Sequence, residues 1–200
     1  MSKNIIICDI DGTIANVQHR LHYIKNPDGT KKKKPDWDSF HKACVDDTPY
    51  DDVIEILCSL VEPVGNWAGR EVYFFSGRNS SVRKETWQWL EAHVKARVMP
   101  SGFSPQQLQM RSEDDRRPDM VVKLGMMNSL GLTPNQVLCI LDDRQSVVDM
   151  WRANGFRVMQ VDAWKEDGRW QDELLAHLEE VAKKYDLSKW RQEIDPKDVH

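Results

Sequence analysis

The chain has 200 residues, which is the length of one ordinary domain or of one domain with a small insert. Hydrophobic residues make up 40% of it, which is enough to bury a core, so a mainly disordered chain is excluded. The formal net charge of −4 argues against a protein that coats nucleic acid through an overall positive charge. No apolar run approaches the roughly 20 residues of a membrane-spanning helix.

Neither the cysteines nor the N-terminal residues indicate an exported protein. The four cysteines form no C-x-x-C pair and have no histidine at the spacing of a zinc site. The N-terminal residues lead directly into a strand-like run and carry no A-x-A cleavage pattern. We therefore expect a cytoplasmic protein with no membrane partner, whose thiols are reduced and mostly buried.

Four short apolar runs predict the strands of a parallel sheet. They are too short for helices and rich in β-branched or aromatic residues, as in N-I-I-I-C near the start of the chain. They span residues 4–8, 71–75, 136–141 and 156–161. Helical patterns separate them: one follows a capping box at Thr48, one spans about 80–94, one begins at Pro118 and one ends before Gly155. This alternation predicts an α/β fold, a Rossmann-like parallel sheet with helices on both faces.

Two regions fall outside this alternation. Residues from about 22 to 48 contain the turn sequence N-P-D-G-T, a lysine run at 31–34 and two aromatic residues, Trp37 and Phe40, which indicates a small insert. The lysine run is more typical of a solvated loop than of a nucleic-acid patch, and the two aromatic residues are candidates for base stacking. We expect a main domain over residues 1–165 and a C-terminal helical tail over 166–200.

Polar residues follow three of the predicted strands at the point where each strand ends. They are Asp9 and Asp11 after the first strand, Ser76, Gly77 and Arg78 after the second, and Asp142 and Asp143 after the third. Lys123 lies near the start of the helix that begins at Pro118. Because the carboxyl ends of parallel strands meet at one edge of a sheet, we expect these side chains to lie close together there.

Four carboxylates that lie close together repel one another and need a counter-ion. Hard oxygen ligands with few other donors favour Mg²⁺, which binds one or two carboxylates, keeps waters and recruits substrate phosphate. Arginine, lysine, a hydroxyl group and the backbone N–H groups of the turn at Ser76 and Gly77 suit the oxygens of phosphate. The pattern therefore predicts metal-assisted phosphoryl chemistry, with the insert at about 22–48 near the active site.

Each of these motifs also has a purely structural interpretation. Alone, D-x-D-G is as typical of a polar turn or a calcium loop as of a catalytic pair. Asp142 and Asp143 suit a helix N-cap, and Lys123 suits a solvated helix face. Asp119 is equally typical of a first-turn residue that the helix dipole favours. The functional interpretation depends on all of the motifs occurring together and in order.

Taken together, D-I-D-G-T, S-G-R, the single downstream lysine and D-D resemble the four motifs of the haloacid dehalogenase (HAD) phosphohydrolases. The resemblance implies that Asp9 is the nucleophile and forms an aspartyl-phosphate. It implies that Asp11 protonates the leaving alcohol and then activates water. Ser76 would hydrogen-bond the transferring phosphoryl group, and Lys123 would neutralise its charge.

The same resemblance implies a Mg²⁺ site. Asp9, Asp142 and the backbone carbonyl of Asp11 would hold the ion, and Asp143 would support that set of ligands. An acid at the position of Asp11 fits hydrolysis, since an aspartyl-phosphate must be cleaved by an activated water.

A narrower resemblance covers residues 4–162. The stretches around Met110–Lys123 and Asp142–Arg152 are similar to the 3′-phosphatase domain of bacteriophage polynucleotide kinase. That similarity implies active-site roles in substrate binding for Arg20, Arg78 and Asp119. No G-x-x-x-x-G-K-[ST] motif of a kinase occurs in the 200 residues.

These resemblances favour a 3′-phosphatase that acts on nucleic-acid ends during repair. The two places where such enzymes carry caps, about residues 22–48 and 98–117, are short, which leaves room for a polymer end. Two alternatives stay open: a phosphatase of free (deoxy)nucleoside monophosphates, and a non-catalytic nucleic-acid-binding module. The intact set of motif residues argues against the second.

Overall fold

The first strand of the chain lies at the centre of a parallel sheet in the computed structural model, which describes residues 3–62, 70–95, 97 and 104–164. The strands of this described part are β1 (Ile5–Asp9), β2 (Ala15–Asn16), β3 (Thr48–Pro49), β4 (Glu71–Asn79), β5 (Leu108–Arg111), β6 (Val137–Arg144) and β7 (Val158–Trp164). Five of them form the parallel sheet in the order β5-β4-β1-β6-β7, and β2 pairs with β3 in antiparallel fashion. The predicted α/β fold is confirmed.

Five α-helices connect these strands within the described residues. They are α1 (Trp37–Lys42), α2 (Asp51–Val61), α3 (Arg83–Leu90), α4 (Asp119–Ser129) and α5 (Gln145–Ala153). Short 3₁₀ turns occupy Gln18–Tyr23, Ala43–Asp46, Ser80–Val82 and Pro105–Gln107, and a π-turn at Glu91–Lys95 follows α3.

The central position of β1 explains its unbroken apolar run. All five of its residues are buried, and because strand side chains point alternately to opposite faces, both faces of the sheet must be covered. On one face Ile6 and Cys8 share a core with Leu57 of α2 and with α3. Residues of the opposite face include Phe75, whose ring centroid lies 6.3 Å from that of Trp151 on α5. The helices therefore cover both faces, as predicted.

The predicted capping box at Thr48 is wrong. Thr48 pairs with Asn16 as part of the β2–β3 ribbon, so its side chain does not cap a helix. The backbone N–H of Tyr50 donates to the carbonyl of Ile14 at 2.9 Å, and α2 begins one residue later. Long-range pairing with β2 has thus overridden a local capping signal.

Two further differences concern the edge of the sheet and the helix predicted at about 80–94. That helix is divided into the 3₁₀ turn, α3 and the π-turn. Strand β5 has no counterpart in the sequence prediction, because its four residues, L-Q-M-R, are too short and too polar to form an apolar run. Among the described strands it pairs with β4 alone, at one edge of the sheet.

The insert joins β2 to β3 and consists mainly of turns and the short helix α1. Within it, Phe40 is buried, whereas Trp37 is 43% exposed. The tail predicted for residues 166–200 lies outside the described residues. All four cysteines are free thiols, and all except Cys58 are buried. None of the helices in the described ranges has the length and apolar character that crossing a membrane requires.

Candidate active site

The carboxyl ends of β1, β4 and β6 bring the predicted site residues to one edge of the sheet. Asp9 lies level with Phe75 of β4, and Cys8 lies level with Leu141 of β6. The next residues of those strands, Ser76 and Asp142, therefore flank the end of β1. This is the edge at which open parallel sheets bind ligands.

Three carboxylates and an ammonium group form the first of two buried clusters at this edge. We call it the lysine cluster, and its members are Asp9, Asp142, Asp143 and Lys123. The three aspartates can each supply one oxygen atom such that all three atoms lie within 4.8 Å of one another. Lys123 Nζ lies 2.8 Å from Asp9 Oδ1 and 2.9 Å from Asp142 Oδ2. All four side chains are buried.

Burial acts in opposite directions on this cluster, since it raises the pKa values of the carboxyl groups and lowers that of the lysine. It raises the pKa of Asp9 well above its ordinary value, against the lowering effect of Lys123 and with a further increase from Asp142. Burial, assisted by the charge of Asp142, raises the pKa of Asp143 to about 7. The pKa of Lys123 is raised, because Asp142 and Asp9 outweigh its own burial. One buried cation therefore faces an excess of carboxylate.

This donor set fits a Mg²⁺ ion. It offers only oxygen ligands, they converge from the ends of two adjacent strands, and their excess negative charge is buried and under-compensated. The predicted Mg²⁺ ligands Asp9, Asp142 and Asp143 are thus brought together. The side chain of Asp11 points away from this group to two arginines. A contribution of its backbone carbonyl to the metal site stays a prediction.

Two aspartates and two arginines form the second cluster, which we call the arginine cluster: Asp11, Asp47, Arg20 and Arg78. Asp11 Oδ1 accepts hydrogen bonds at 2.6 Å from Arg20 Nη2 and from Arg78 Nη2, and a third at 2.9 Å from Arg78 Nε. Burial alone would raise the pKa of Asp11, but Arg78 and Arg20 outweigh it and hold that pKa below its ordinary range. The pKa of Arg78 is raised in turn, chiefly by Asp11 against its own burial.

Asp47 completes the arginine cluster and is absent from the sequence prediction. Its carboxylate accepts hydrogen bonds from Arg20 Nε and Nη2, both at 2.7 Å, and from Arg78 Nη2 at 2.6 Å. Its backbone carbonyl accepts a hydrogen bond from Trp89 Nε1 at 2.7 Å, which ties the end of the insert to α3. The sequence V-D-D-T-P around it resembles an ordinary polar loop, so no local signal distinguishes it.

Arg20 reaches the site from the insert. It is fully buried, its guanidinium lies 4.2 Å from the ring centroid of Phe40, and its Nη1 donates to the Phe40 carbonyl at 3.2 Å. Phe40 therefore supports Arg20 from within the protein. The prediction that Phe40 is a candidate for base stacking is wrong, because only 7% of Phe40 is exposed.

Asp119 connects α4 with the ends of β5 and β6. Its Oδ1 accepts from Arg111 Nη2 at 3.1 Å, and its Oδ2 lies 3.7 Å from Lys123 Nζ and 3.6 Å from Arg144 Nη1. Burial would raise the pKa of Asp119, but Lys123, Arg144 and Arg111 lower it. The sequence assigned no role to Arg111, because the contacts that would reveal one come from other elements.

Gly77 lies against Asp119. A Cβ atom at this position would lie 2.5 Å from Asp119 Oδ1, so no other residue fits without displacing that carboxylate. The carbonyl of Gly77 accepts from Arg111 Nε at 3.1 Å. Beside it, Ser76 is buried and its Oγ accepts from the backbone N–H of Arg78 at 3.2 Å. The close approach to Asp119 explains why glycine stands at position 77, and its predicted role in binding substrate stays a prediction.

A family model for the phosphatase domain of polynucleotide kinase PNKP matches residues 3–165. The chain belongs to this family. Its fold and family together make it a phosphatase of the HAD type. The two resemblances drawn from the sequence motifs are therefore confirmed.

A curated relative and two solved structures agree with this assignment. A putative bifunctional polynucleotide kinase/RNA ligase of Autographa californica nuclear polyhedrosis virus is 26% identical over 147 residues, which is 74% of this chain and 17% of that protein. A chain in the structure of the Pnkp1/Rnl/Hen1 RNA repair complex is 25% identical, with a TM-score of 0.55 over 78% of this chain and 42% of that one. A HAD-like hydrolase from Streptococcus pneumoniae, 13% identical, shares the fold with a TM-score of 0.51 and covers 85% and 90% of the two chains.

The chain thus spans less than half the length of the viral polynucleotide kinase/RNA ligase and less than half of the matched chain from the RNA repair complex. What the family shows for these residues is a HAD-type phosphatase domain.

Proposed function

We propose that this chain is a Mg²⁺-dependent 3′-phosphatase of polynucleotide ends that acts through an aspartyl-phosphate on Asp9. The observation that carries the proposal is the separation of Asp9 and Asp11 into two clusters of different charge, although they are two residues apart. One carboxylate lies beside an ammonium group and two further carboxylates, and the other lies beside two guanidinium groups.

In the first step Asp9 attacks the phosphorus atom. A bond forms between an Asp9 carboxylate oxygen and phosphorus, and the bond from phosphorus to the 3′ oxygen breaks. Lys123, at 2.8 Å from Asp9, holds the attacking carboxylate and stabilises the charge of the transferring group. Bound Mg²⁺, held by Asp9, Asp142 and Asp143, would neutralise the phosphoryl oxygens. The Ser76 hydroxyl would hydrogen-bond the same group.

Asp11 transfers the proton in both steps. In its protonated form it gives a proton to the departing 3′ oxygen, and as a carboxylate it then takes a proton from the water that cleaves the aspartyl-phosphate. Inorganic phosphate leaves, and Asp9 and protonated Asp11 are regenerated. The arginines lower the pKa of Asp11 in the free protein. A phosphate dianion beside them raises it again, since it adds negative charge next to Asp11.

The contacts support a positioning role for Arg20 and Arg78. Both guanidinium groups donate hydrogen bonds to one oxygen of Asp11. Both also donate to the carboxylate of Asp47, which fixes their positions. Asp119 contacts Arg111, Arg144 and Lys123, so three cationic side chains meet at this one carboxylate, and one of them also contacts Asp9. A nucleic-acid end as the substrate is supported by the family description and by the RNA repair complex among the structural relatives.

Phosphate release in the presence of Mg²⁺ tests this proposal. The substrates are a 3′-phosphorylated oligonucleotide, the matching 5′-phosphorylated oligonucleotide, and nucleoside 3′- and 5′-monophosphates. We expect a strong preference for the 3′-phosphorylated oligonucleotide. A strong preference for a mononucleotide would instead establish a nucleotidase, with the insert as a substrate lid. Equal rates on the two oligonucleotides would contradict the specificity for the 3′ end.

A further inference from the structure

The insert carries a local positive charge that the overall composition conceals. Residues 25–37, which we call the basic segment, contain five lysines and two aspartates in a chain of net charge −4. Both aspartates are engaged locally: Asp28 Oδ1 accepts from Thr30, and Asp36 Oδ1 accepts from the backbone N–H of Ser39. The lysines at 31, 33 and 34 are exposed. The outward-facing charge of this segment is therefore positive.

The basic segment is a folded element. Lys25 and Lys31 face each other across an antiparallel bridge, and the backbone N–H of Lys32 donates to the carbonyl of Ile24 at 2.9 Å. The turn between them is closed by a hydrogen bond from the N–H of Asn26 to the carbonyl of Thr30 at 2.8 Å. Gly29 takes the left-handed conformation that this turn requires, with φ of 84°.

An exposed aromatic ring follows the lysines. Trp37 is 43% exposed, and Lys31 Nζ lies 5.9 Å from its ring centroid. The imidazole of His41, one turn further along α1, is stacked with Trp37 at 6.0 Å and 26° between the ring planes. Burial lowers the pKa of His41 to about 4, so this ring is neutral and aromatic at neutral pH. Lys31, Trp37 and His41 thus form a row of one cation and two aromatic rings, in which Lys31 and Trp37 are exposed.

This surface adjoins the arginine cluster of the active site. The carbonyl of Phe40, within α1, accepts from Arg20, which in turn donates to Asp11. Trp37, at the end of the basic segment, is three residues before Phe40 on α1. The basic segment therefore lies beside the arginine cluster.

We infer that the basic segment, with Lys31 and Trp37 at its centre, binds the single-stranded nucleotides that precede the phosphorylated 3′ end. Lysines attract the phosphodiester backbone, and an exposed tryptophan stacks on a base of any sequence. This surface makes the enzyme select a polynucleotide over a mononucleotide. The inference rests on the proposed function and adds the residues that determine substrate size.

Two variants test the inference without touching the catalytic residues. Trp37→Ala is expected to raise KM for a short single-stranded 3′-phosphorylated oligonucleotide by about ten-fold, which corresponds to the loss of one stacked base. Lys31→Gln is expected to raise the same KM and to reduce the slope of log KM against log salt by about 0.7, the value for one lost phosphate contact on a single strand. Neither variant should change kcat/KM for the matching nucleoside 3′-monophosphate.

Matched controls separate charge and fold from the proposed contacts. Lys31→Arg keeps the charge and should retain the oligonucleotide KM. Lys84→Gln removes one exposed lysine from α3, outside the basic segment, and should leave KM and the salt slope unchanged. Binding of an unphosphorylated single strand, followed by fluorescence anisotropy, tests the surface independently of catalysis.

The outcomes distinguish this inference from the proposed function. If the wild-type protein cleaves para-nitrophenyl phosphate but neither nucleic-acid substrate, the proposed function fails. Anisotropy that detects no single-strand binding to the wild type overturns the basic segment as a binding surface. The inference is also overturned if the wild type cleaves the oligonucleotide and both variants have the same KM and salt slope as the wild type. It is overturned as well if the variants lose activity on the oligonucleotide and on the mononucleotide to the same extent.

Discussion

The lysine cluster and the arginine cluster lie side by side but arrange their charges in opposite proportions. The lysine cluster surrounds one cation with three carboxylates, and the pKa values of Asp9 and Asp143 are raised. The arginine cluster shares two cations between two carboxylates, and the pKa of Asp11 is lowered. The lysine cluster is therefore suited to receive a cation, whereas the arginine cluster is already compensated.

The two clusters explain why Asp9 and Asp11, which belong to one short motif, have pKa values shifted in opposite directions. Asp9 ends β1 and faces β6 and α4, whereas Asp11 lies past the strand and faces the insert and β4. The protein surroundings, rather than the residue type, assign one carboxylate to the lysine cluster and the other to the arginine cluster.

The largest expected effect tests the lysine cluster. Asp9→Asn removes the attacking oxygen while preserving the shape of the side chain. We expect turnover of the best substrate to fall by at least about 10⁴-fold, as is typical for the loss of a nucleophile. Phosphate release measures the change, and circular dichroism should show an unchanged fold. Substantial Mg²⁺-dependent hydrolysis by this variant would contradict the role of Asp9.

The next prediction breaks the arginine cluster at Asp47. Asp47→Asn leaves two buried guanidinium groups with Asp11 as their remaining carboxylate, so we expect the free energy of unfolding to fall by about 3 kcal/mol. Because Asp11 is then less firmly positioned, kcat should fall by about ten-fold while KM changes less. Urea unfolding and steady-state kinetics measure the two effects.

The neighbouring residue provides the matched control for Asp47. Asp46 is exposed, so Asp46→Asn removes one carboxylate from the same loop without opening the cluster. Identical behaviour of the two variants would show that Asp47 does not hold the arginines.

A steric prediction concerns the boundary of the lysine cluster. Gly77→Ala places a Cβ atom against Asp119 Oδ1, which must move and take Arg111 with it. We expect kcat/KM to fall by about ten-fold, the scale of a displaced positioning group. Gly125→Ala is the control: it lies inside α4 with no atom near its Cβ, and it should stabilise the helix by about 0.5–1 kcal/mol. An unimpaired Gly77→Ala enzyme would rule out this constraint.

The smallest expected effect is a pH dependence of stability beside the arginine cluster. Burial lowers the pKa of His41 to about 4, and Arg20 and Arg78 contribute to that shift. The ordinary value in an unfolded chain is about 6.5, so between these values the unfolded state binds more protons than the folded state. The contribution of His41 to stability should therefore be intact above about pH 6.5 and fall on acidification, by at most about 1.4 kcal/mol between about pH 6.5 and 5.5.

Urea unfolding at neutral and mildly acidic pH measures this dependence. His41→Gln should reduce the loss of stability on acidification, whereas His22→Gln, at an exposed position, should leave it unchanged. An equal acid sensitivity of His41→Gln and the wild type would show that this ring is not the group responsible.

The sequence predicted the parts of the site that strand ends provide. Asp9, Ser76 and Asp142 each follow an apolar run, and the order of parallel strands then brings them together, so local pattern and topology were sufficient. The motif resemblance added Arg20 and Asp119, which no strand end marks.

Residues whose importance arises from distant partners could not be predicted. Asp47 stands in an unremarkable loop, and its value comes from Arg20 and Arg78, which reach it from two other elements. Strand β5 likewise depends on its neighbour β4 rather than on an apolar run of its own. In both cases the stabilising energy is tertiary, so local sequence carries little trace of it.

The position of β1 also has a consequence for how the protein folds. Ile5 pairs with Glu71 on one side and with Val137 on the other, so β1 is synthesised before both of the strands that it pairs with. Such non-local pairing slows folding and leaves an apolar strand exposed meanwhile. The catalytic edge consequently assembles only after β6 has emerged, and a nascent chain that ends before Val137 cannot yet hold the lysine cluster together.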